Sequence, residues 1–428
     1  MNKDFNIAYE VSPILAASGV FGDKSGVYRY SYCLIKYMSE YLHSIGSNSK
    51  IFLYTLNPHL NFNPNIDFYD LLKNKNVIWL NIDVPIEKDF FSQNIVDYPG
   101  LRFIFKKMNF FVLKYKQRKI WGKYLNSLSN EFAKNNIKIV HHSETGFNYF
   151  PKFKNVITIN DMIALKFPFL QREETVEIHK KKIRFSTNCC DSIITISNNT
   201  KKDLIEYVGL DKLKNKRIDT IYLGAEDLTY NQEIPKIDYL NKLVNSTGCS
   251  DLIKEKYFLY FGTIEPRKNV PILIKAFLEL KKMNEFDECK LVIIGGKGWG
   301  NTYNSVSNFI KETYPIKKDS SIIHLDFISD NILSSFIKNS KAVVFPSSYE
   351  GFGLPVVESL RYETPCIVPN NSVFPELFGE NKNVSIYNNF EDLVLKMKNV
   401  KEFVKTESEF SWQKNVKETY ELYKNTVS

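Results

Sequence analysis

The stretch FPSSYEGFGLPVVES, Phe345–Ser359, decides how the rest of this chain is read. It follows an apolar run, AVVFPS (342–347), that has the composition of a buried strand. A loop of almost no side chains comes next, Gly351-Phe352-Gly353-Leu354. Pro355 suits the first turn of a helix, where its missing N–H costs little. Glu358 then falls about one turn into that helix, with seven residues between it and Glu350. Glycines let backbone N–H groups face a ligand closely, and a helix amino end favours anionic oxygens. Glu350 and Glu358 would flank such an anion and accept hydrogen bonds from hydroxyls, since carboxylates repel phosphate but suit a sugar or ribose.

Working outward, the same strand–loop–helix unit recurs. YFLYFGT (257–263), KLVIIGG (290–296), SIIHLDF (321–327) and PCIVPN (365–370) read as strands, alternating with helices near 270–282, 302–313, 330–338 and 355–362. The first half repeats the scheme with strands FNIAY (5–9), KIFLYTL (50–56), VIWLNI (77–82), KIVHHS (138–143), VITIND (156–161) and SIITIS (192–197), and helices at 27–45 and 200–208. Such alternation predicts parallel sheets with crossover helices, an α/β chain of two Rossmann-like domains. A length of 428 residues also exceeds what one core usually serves. The polar, strand-poor stretch 226–256 carries the connection. We expect an N-terminal domain over 1–235, a linker over 236–256, a C-terminal domain over 257–405 and a final helical segment over 406–428. Trp412, Val416, Tyr420 and Tyr423 recur at helical spacing in that last segment, so one of its faces should pack on protein.

Composition excludes several classes. No apolar run reaches the roughly 18 residues of a membrane span, and the start lacks a signal-peptide layout. Six scattered cysteines without a C-x-x-C pair read as free thiols in a reducing cytoplasm. The adjacent His141 and His142 lack cysteine or acidic partners nearby, so they read as structural and no metal is expected. The net charge of +9 lies wholly in residues 1–250. Much of it sits in 101–125, where Arg102, Lys106, Lys107, Lys114, Lys116, Arg118, Lys119 and Lys123 alternate with aromatics, including Trp121. A basic aromatic helix can lie on an anionic leaflet. The competing reading is a surface helix with a solvated basic face and a core-facing stripe. The charge is local and no nucleic-acid motif accompanies it, so nucleic acid is not expected as a partner.

Strand 257–263 runs into Glu265-Pro266-Arg267-Lys268-Asn269. A cation pair between a strand end and a helix start reads as a diphosphate site. Gly262 and Gly295 follow two successive strands, the latter in IIGGKGWG (293–300); that run by itself reads first as a plain turn, and as close main-chain approach to a base or ribose in the alternative. A cation pair, a glycine loop and two carboxylates together describe a nucleoside diphosphate sugar site.

FGTIEPRKNVPILIKAF and FISDNILSSFIKNSKAVVFPSSYEGFGLPVVESL resemble the donor domain of retaining glycosyltransferase family 4, with the GT-B fold of two Rossmann-like domains facing each other across a cleft. SIITISNNTKKDLIEYVG and TIYLGAE resemble that family's interdomain region, and the E-P-R-K-N and Y-E-G-F-G-L-P forms look most like bacterial mannosyl- and rhamnosyltransferases of O-antigen or capsule assembly. The resemblance implies that the last helix crosses back to the first domain. It implies that Arg267 and Lys268 neutralise the leaving diphosphate, that Glu350 binds the transferred sugar, and that Glu358 binds the ribose. The N–H groups of Phe352, Gly353 and Leu354, with Gly351 in the same loop, would support the phosphates. Gly26, in KSGVYRYSYCLIKYM (24–38), would approach the ligand from the first domain. It further implies transfer of a hexose with retention by front-face attack, with no metal or cofactor, and weakly favours GDP-mannose.

VITINDMIALKFP (156–168) resembles the family's His-Asp strand end, but here reads Asn160-Asp161. An amide binds a hydroxyl but shuttles no proton, so a histidine-dependent step is in doubt while Asp161 stays a catalytic candidate. On the acceptor side, Glu144, Phe147 and Tyr149 follow a strand end and could stack on and orient a sugar; they could equally cover the core. The expected acceptor is a growing, lipid-linked surface glycan, met in the cytoplasm at the inner membrane face. A soluble-acceptor glucan or disaccharide synthase and a non-catalytic sugar-nucleotide-binding scaffold are the alternatives.

Overall fold

The computed structural model describes residues 4–16, 26–56, 66–80, 82, 119, 121–225, 257–298, 300–313, 321–326, 328–406 and 409–428. Two sheets organise them. The first is ordered β3-β2-β1-β4-β5-β6-β7, from β1 (Asn6–Glu10), β2 (Ile51–Tyr54), β3 (Val77–Trp79), β4 (Ile137–His142), β5 (Lys154–Ile159), β6 (Ser192–Thr195) and β7 (Arg217–Thr220). The second is ordered β10-β9-β8-β11-β12-β13, from β8 (Tyr257–Phe261), β9 (Lys290–Ile294), β10 (Ile322–Leu325), β11 (Ala342–Val344), β12 (Cys366–Pro369) and β13 (Val384–Tyr387). β8 pairs in parallel with both β9 and β11, and β1 with both β2 and β4. Each sheet therefore winds outward from its first strand in both directions, the doubly wound order in which the strand sequence reverses at one point.

The strands read as continuous apolar runs because a parallel sheet is covered on both faces. All five residues of β8 and of β9 are buried. The helix Val270–Leu280 covers this sheet with Val270, Leu273, Ile274, Ala276, Phe277 and Leu280, the i, i+3, i+4, i+7 stripe of an amphipathic helix.

The described residues fall into two compact units, one drawn from Met1–Thr158, Asn188–Ser192 and Tyr420–Ser428, the other from Ile159–Thr187 and Ile193–Thr419. The loop after β5 and the helix Asn198–Val208 fall in the same unit as the second sheet. The expected linker, 236–256, lies outside the described residues. The helix Trp412–Val427 is divided between the units, its residues up to Thr419 in the second and those from Tyr420 in the first. In the second unit Trp412 abuts Gly224, where a Cβ would lie 2.4 Å from the indole. In the first, Tyr420 stacks on Phe5 at 5.4 Å, and the Tyr423 hydroxyl bonds His141 Nδ1.

His141 and His142 are fully buried in β4. His141 Nε2 pairs with the Thr158 hydroxyl at 2.9 Å and His142 Nε2 with Asn155 Oδ1 at 3.1 Å, so both rings are held by protein partners. Among the described residues no group of three or more metal-ligating side chains converges, and no helix is long and apolar enough to cross a membrane.

Candidate functional site

In a doubly wound sheet, ligands bind outside the carboxyl ends of the two strands flanking the reversal point. In the second sheet these are β8 and β11. The residues singled out from sequence follow those two strands.

After β8 the chain passes Gly262 and makes one 3-10 turn, Pro266–Lys268, with proline in the first turn position. Asn269 takes a left-handed conformation, φ 51°, which asparagine tolerates, and the helix Val270–Leu280 begins. This turn is what sets Arg267 and Lys268 side by side. After β11, the segment Phe345–Glu350 leads to Gly353, φ 88°, at the cap of the helix Leu354–Arg361. A side chain at that φ would be strained, which accounts for glycine there.

The two loops are tied together. Ser348 N donates to the Arg267 carbonyl at 2.9 Å, and Arg267 Nη1 donates to the Tyr349 carbonyl at 3.0 Å. Glu350 N donates to Ser372 Oγ at 2.9 Å, and that hydroxyl donates back to the Glu350 carbonyl at 2.6 Å. The backbone on either side of Glu350 is thus fixed.

Between the loops lies a nearly dry charge cluster. Arg267 Nη1 and Lys268 Nζ both reach Glu350 Oε1 at 2.7 Å. Arg267 Nη2 and Nε reach Glu265 Oε1 at 2.6 and 3.0 Å. Side-chain exposures run from 11% to 16%. Lys268 Nζ also sits 4.6 Å from the Phe345 ring centroid, a cation–π contact. Burial alone would raise the Glu350 carboxyl, but the Arg267 and Lys268 charges outweigh it and hold it at about 2. Burial works against the Arg267 charge too, yet Glu350, Glu265 and Asp161 keep it firmly protonated. Burial pulls Lys268 below its ordinary value despite Glu350, with Arg267 adding to the pull.

Asn160 and Asp161 join this site from the carboxyl end of β5. A Cβ on Gly351 would fall 2.2 Å from the Asn160 carbonyl oxygen and 3.0 Å from Asp161 Cβ, so the glycine is required by close approach. Asp161 Oδ1 accepts from Ile163 N at 3.0 Å, and its charge is felt by Arg267. Next to Glu350, the Tyr349 hydroxyl donates to Asp203 on the helix Asn198–Val208. The first two N–H groups of that helix, from Asn198 and Asn199, each donate to Glu376 at 2.7 Å.

The structure therefore brings together Arg267, Lys268, Glu350, Gly351, Asn160 and Asp161. Phe352 buries its ring against Phe410 at 5.3 Å, which leaves only its backbone for a ligand. Leu354 opens the helix and Glu358 lies half-buried on its second turn. Gly295 approaches main chain: a Cβ there would lie 2.0 Å from the Gly262 carbonyl oxygen. In the first unit, Gly26 opens the helix Gly26–Ser44, Glu144 and Phe147 are half-buried, and Tyr149 is 49% exposed. Of the membrane-contact candidates, Lys106, Lys107, Lys114, Lys116 and Arg118 lie outside the described residues. Lys119 is exposed, while Trp121 packs on the cluster of Phe132, Leu128 and Phe150, as the core-facing reading of that segment expects. Sequence reasoning assigned no role to Glu265 or Ser372. An acid two positions before the arginine was a usable signal for the first; nothing in the sequence marked the second.

With this geometry in place, comparison with known proteins decides the family of the second half. Residues 252–424 match the family model "Glycosyl transferases group 1". This half is a group 1 glycosyltransferase domain. Among curated proteins, the chain is similar to O-antigen chain mannosyltransferase B of Escherichia coli, 25% identical over 233 residues that cover 53% of this chain and 55% of that protein. It is also similar to the serotype-specific mannosyltransferase WbdA of Escherichia coli, 26% identical over 52% of this chain and 26% of that protein. The chain thus spans about half the length of the first and a quarter of the second. Among solved structures, sucrose-phosphate synthase from Thermosynechococcus elongatus superposes with a TM-score of 0.56 at 14% identity, covering 99% of this chain and 94% of that one. The likeness shows the fold alone, two Rossmann-like domains of GT-B type.

Proposed function

We propose that this protein transfers a hexose, mannose from GDP-mannose, onto a growing lipid-linked surface glycan with retention of configuration and without a metal. One observation carries the reading: two cations and a carboxylate converge at the reversal point of the glycosyltransferase domain's sheet, beside a glycine-bounded helix start. The names of the similar mannosyltransferases support the sugar and the glycan.

In the proposed reaction, the bond between the sugar's anomeric carbon and the diphosphate oxygen breaks, leaving its electron pair on phosphate. Arg267 and Lys268 stabilise that charge as it grows. The acceptor hydroxyl attacks from the same face and passes its proton to the departing phosphate oxygen, so no protein base is required. Asn160 and Asp161 hold hydroxyls instead of moving protons. Catalysis of this kind rests on preorganised charge and alignment. The basic residues from Lys106 to Lys119, and not the core-packed Trp121, would keep the enzyme at the cytoplasmic leaflet, where the acceptor is anchored.

A thermal-shift panel of GDP-mannose, UDP-glucose, UDP-galactose and dTDP-rhamnose tests the donor. GDP-mannose at one hundred times its dissociation constant should stabilise by about 2.7 kcal/mol, and the others far less. A stronger response to another donor overturns mannose; no response to any overturns the enzymatic reading. Inverted anomeric configuration in the product would refute retention.

A further inference from the structure

The two carboxylates on the cation pair are held in different ways. Glu265 belongs to the same turn as Arg267, and its carbonyl accepts from Lys268 N at 3.0 Å. It takes the Nε–Nη2 edge of the guanidinium, leaving Nη1 to point elsewhere. Glu350 comes from the other loop. A single oxygen, Oε1, receives both Arg267 Nη1 and Lys268 Nζ at 2.7 Å. One oxygen between an arginine and a lysine is the coordination a phosphate oxygen would take.

The charges sharpen the contrast. Arg267 and Lys268 are balanced by Glu265 and Glu350, and Asp161 adds further negative potential. A diphosphate cannot bind strongly to a cation pair already neutralised in a site of low effective dielectric. One carboxylate has to give way, and only Glu350 spans both cations.

We propose that the two acids divide the work: Glu350 is an exchangeable stand-in for a phosphate oxygen, and Glu265 is a permanent positioning residue that fixes the plane of Arg267. This rests on the donor-site reading above. An incoming diphosphate displaces Glu350 Oε1 from Arg267 and Lys268, and the freed carboxylate turns to the hydroxyls of the sugar. Glu265 stays on the guanidinium throughout, so Nη1 keeps its direction while its partner changes. Preorganised donors of this kind lose their effect when their support is removed.

The two roles predict opposite signs. Binding of inorganic pyrophosphate and of GDP would be measured by isothermal titration calorimetry, with thermal melts confirming that each variant is folded. Glu350→Gln, nearly isosteric, should bind pyrophosphate about tenfold more tightly than wild type, with Glu350→Ala as the second variant if the first does not fold. Glu265→Ala should bind about tenfold more weakly, and Glu265→Gln, which keeps an acceptor for Nε and Nη2, should recover to within about threefold of wild type. If both acids act only as charge, all four variants tighten; if both are only structural, all weaken; either result overturns the proposal. Arg267→Ala separates this failure from that of the donor site. Should wild type bind the probes and Arg267→Ala lose them while the acid variants move together, the division of roles alone is wrong. Should wild type bind neither probe, the donor site itself is wrong and this proposal goes with it.

Discussion

Gly295 and Gly296 are adjacent, both glycine, and predicted to respond very differently to the same change. Gly295 follows β9 and lies against the residue that follows β8; its own N–H donates to the Leu325 carbonyl at 2.9 Å, and Gly262 N donates to the Ile294 carbonyl at 2.9 Å. A Cβ at Gly295 would fall 2.0 Å from the Gly262 carbonyl oxygen and 2.9 Å from its carbon. Ordinary contact begins near 3.4 Å, so one strand end must retreat by more than 1 Å, and both colliding groups are backbone held in a sheet. Overpacking a well-filled site costs about 1–3 kcal/mol, and a backbone collision without a flexible partner belongs at the upper end. For a domain of this size about 3 kcal/mol lowers Tm by roughly 6–12 °C. Gly296, by contrast, has nothing within 4 Å of its Cβ position. Gly296→Ala should stay within about 0.5 kcal/mol of wild type. Differential scanning calorimetry of the two single variants reads the difference directly. Equal melting temperatures, or a larger loss at Gly296, would refute the packing of β8 on β9 from which the donor-side geometry follows.

Arg267→Ala and Lys268→Ala should each lower turnover roughly 10²–10³-fold, measured as nucleoside diphosphate release, because each removes charge where the leaving group develops it; near wild-type rates in both would remove the phosphate assignment. Acid should destabilise the fold in two steps. Burial holds His141 and His142 at about 3 and about 4, below the usual 6.5, so the unfolded chain binds more protons and stability falls as pH drops below about 6.5. The Glu350 contribution is complete above its ordinary 4.5 and is lost as pH falls toward about 2; urea midpoints that stay flat from pH 7 to 4 would contradict the histidine step, and midpoints that stay flat from pH 4 to 2 the Glu350 step. Vesicles containing anionic lipid should float the full chain and neutral vesicles should not, and equal flotation or none ends the membrane role of 101–125.

How much of this was legible in the sequence differs between strands and site. β8, β9, β11 and β12 were readable because strands covered on both faces must be apolar along their whole length. β7 and β13 escaped: Arg217–Thr220 is exposed or half-buried throughout, and Val384–Tyr387 has only its two ends fully buried, so neither carries a continuous apolar signal. The helix Glu173–Cys189 was missed for a related reason. Its buried positions include Lys182 and Ser186 beside Val176 and Ile183, which blurs the hydrophobic stripe that announces a helix.

At the site, sequence gave residue types and fold topology gave their meeting. Arg267 and Glu350 are 83 positions apart in the chain, and nothing in either motif states that one will neutralise the other. What joins them is the order of the sheet: β8 and β11 are neighbours only because the strand sequence reverses between them. The sequence reading separated cations for phosphate from carboxylates for sugar, as if each met the ligand alone. The ion pairs show that the groups first meet one another, so binding a diphosphate has to be an exchange of anions and not a simple addition. That is why the acid that bridges both cations, Glu350, and not a cation, is the residue whose removal should tighten diphosphate binding.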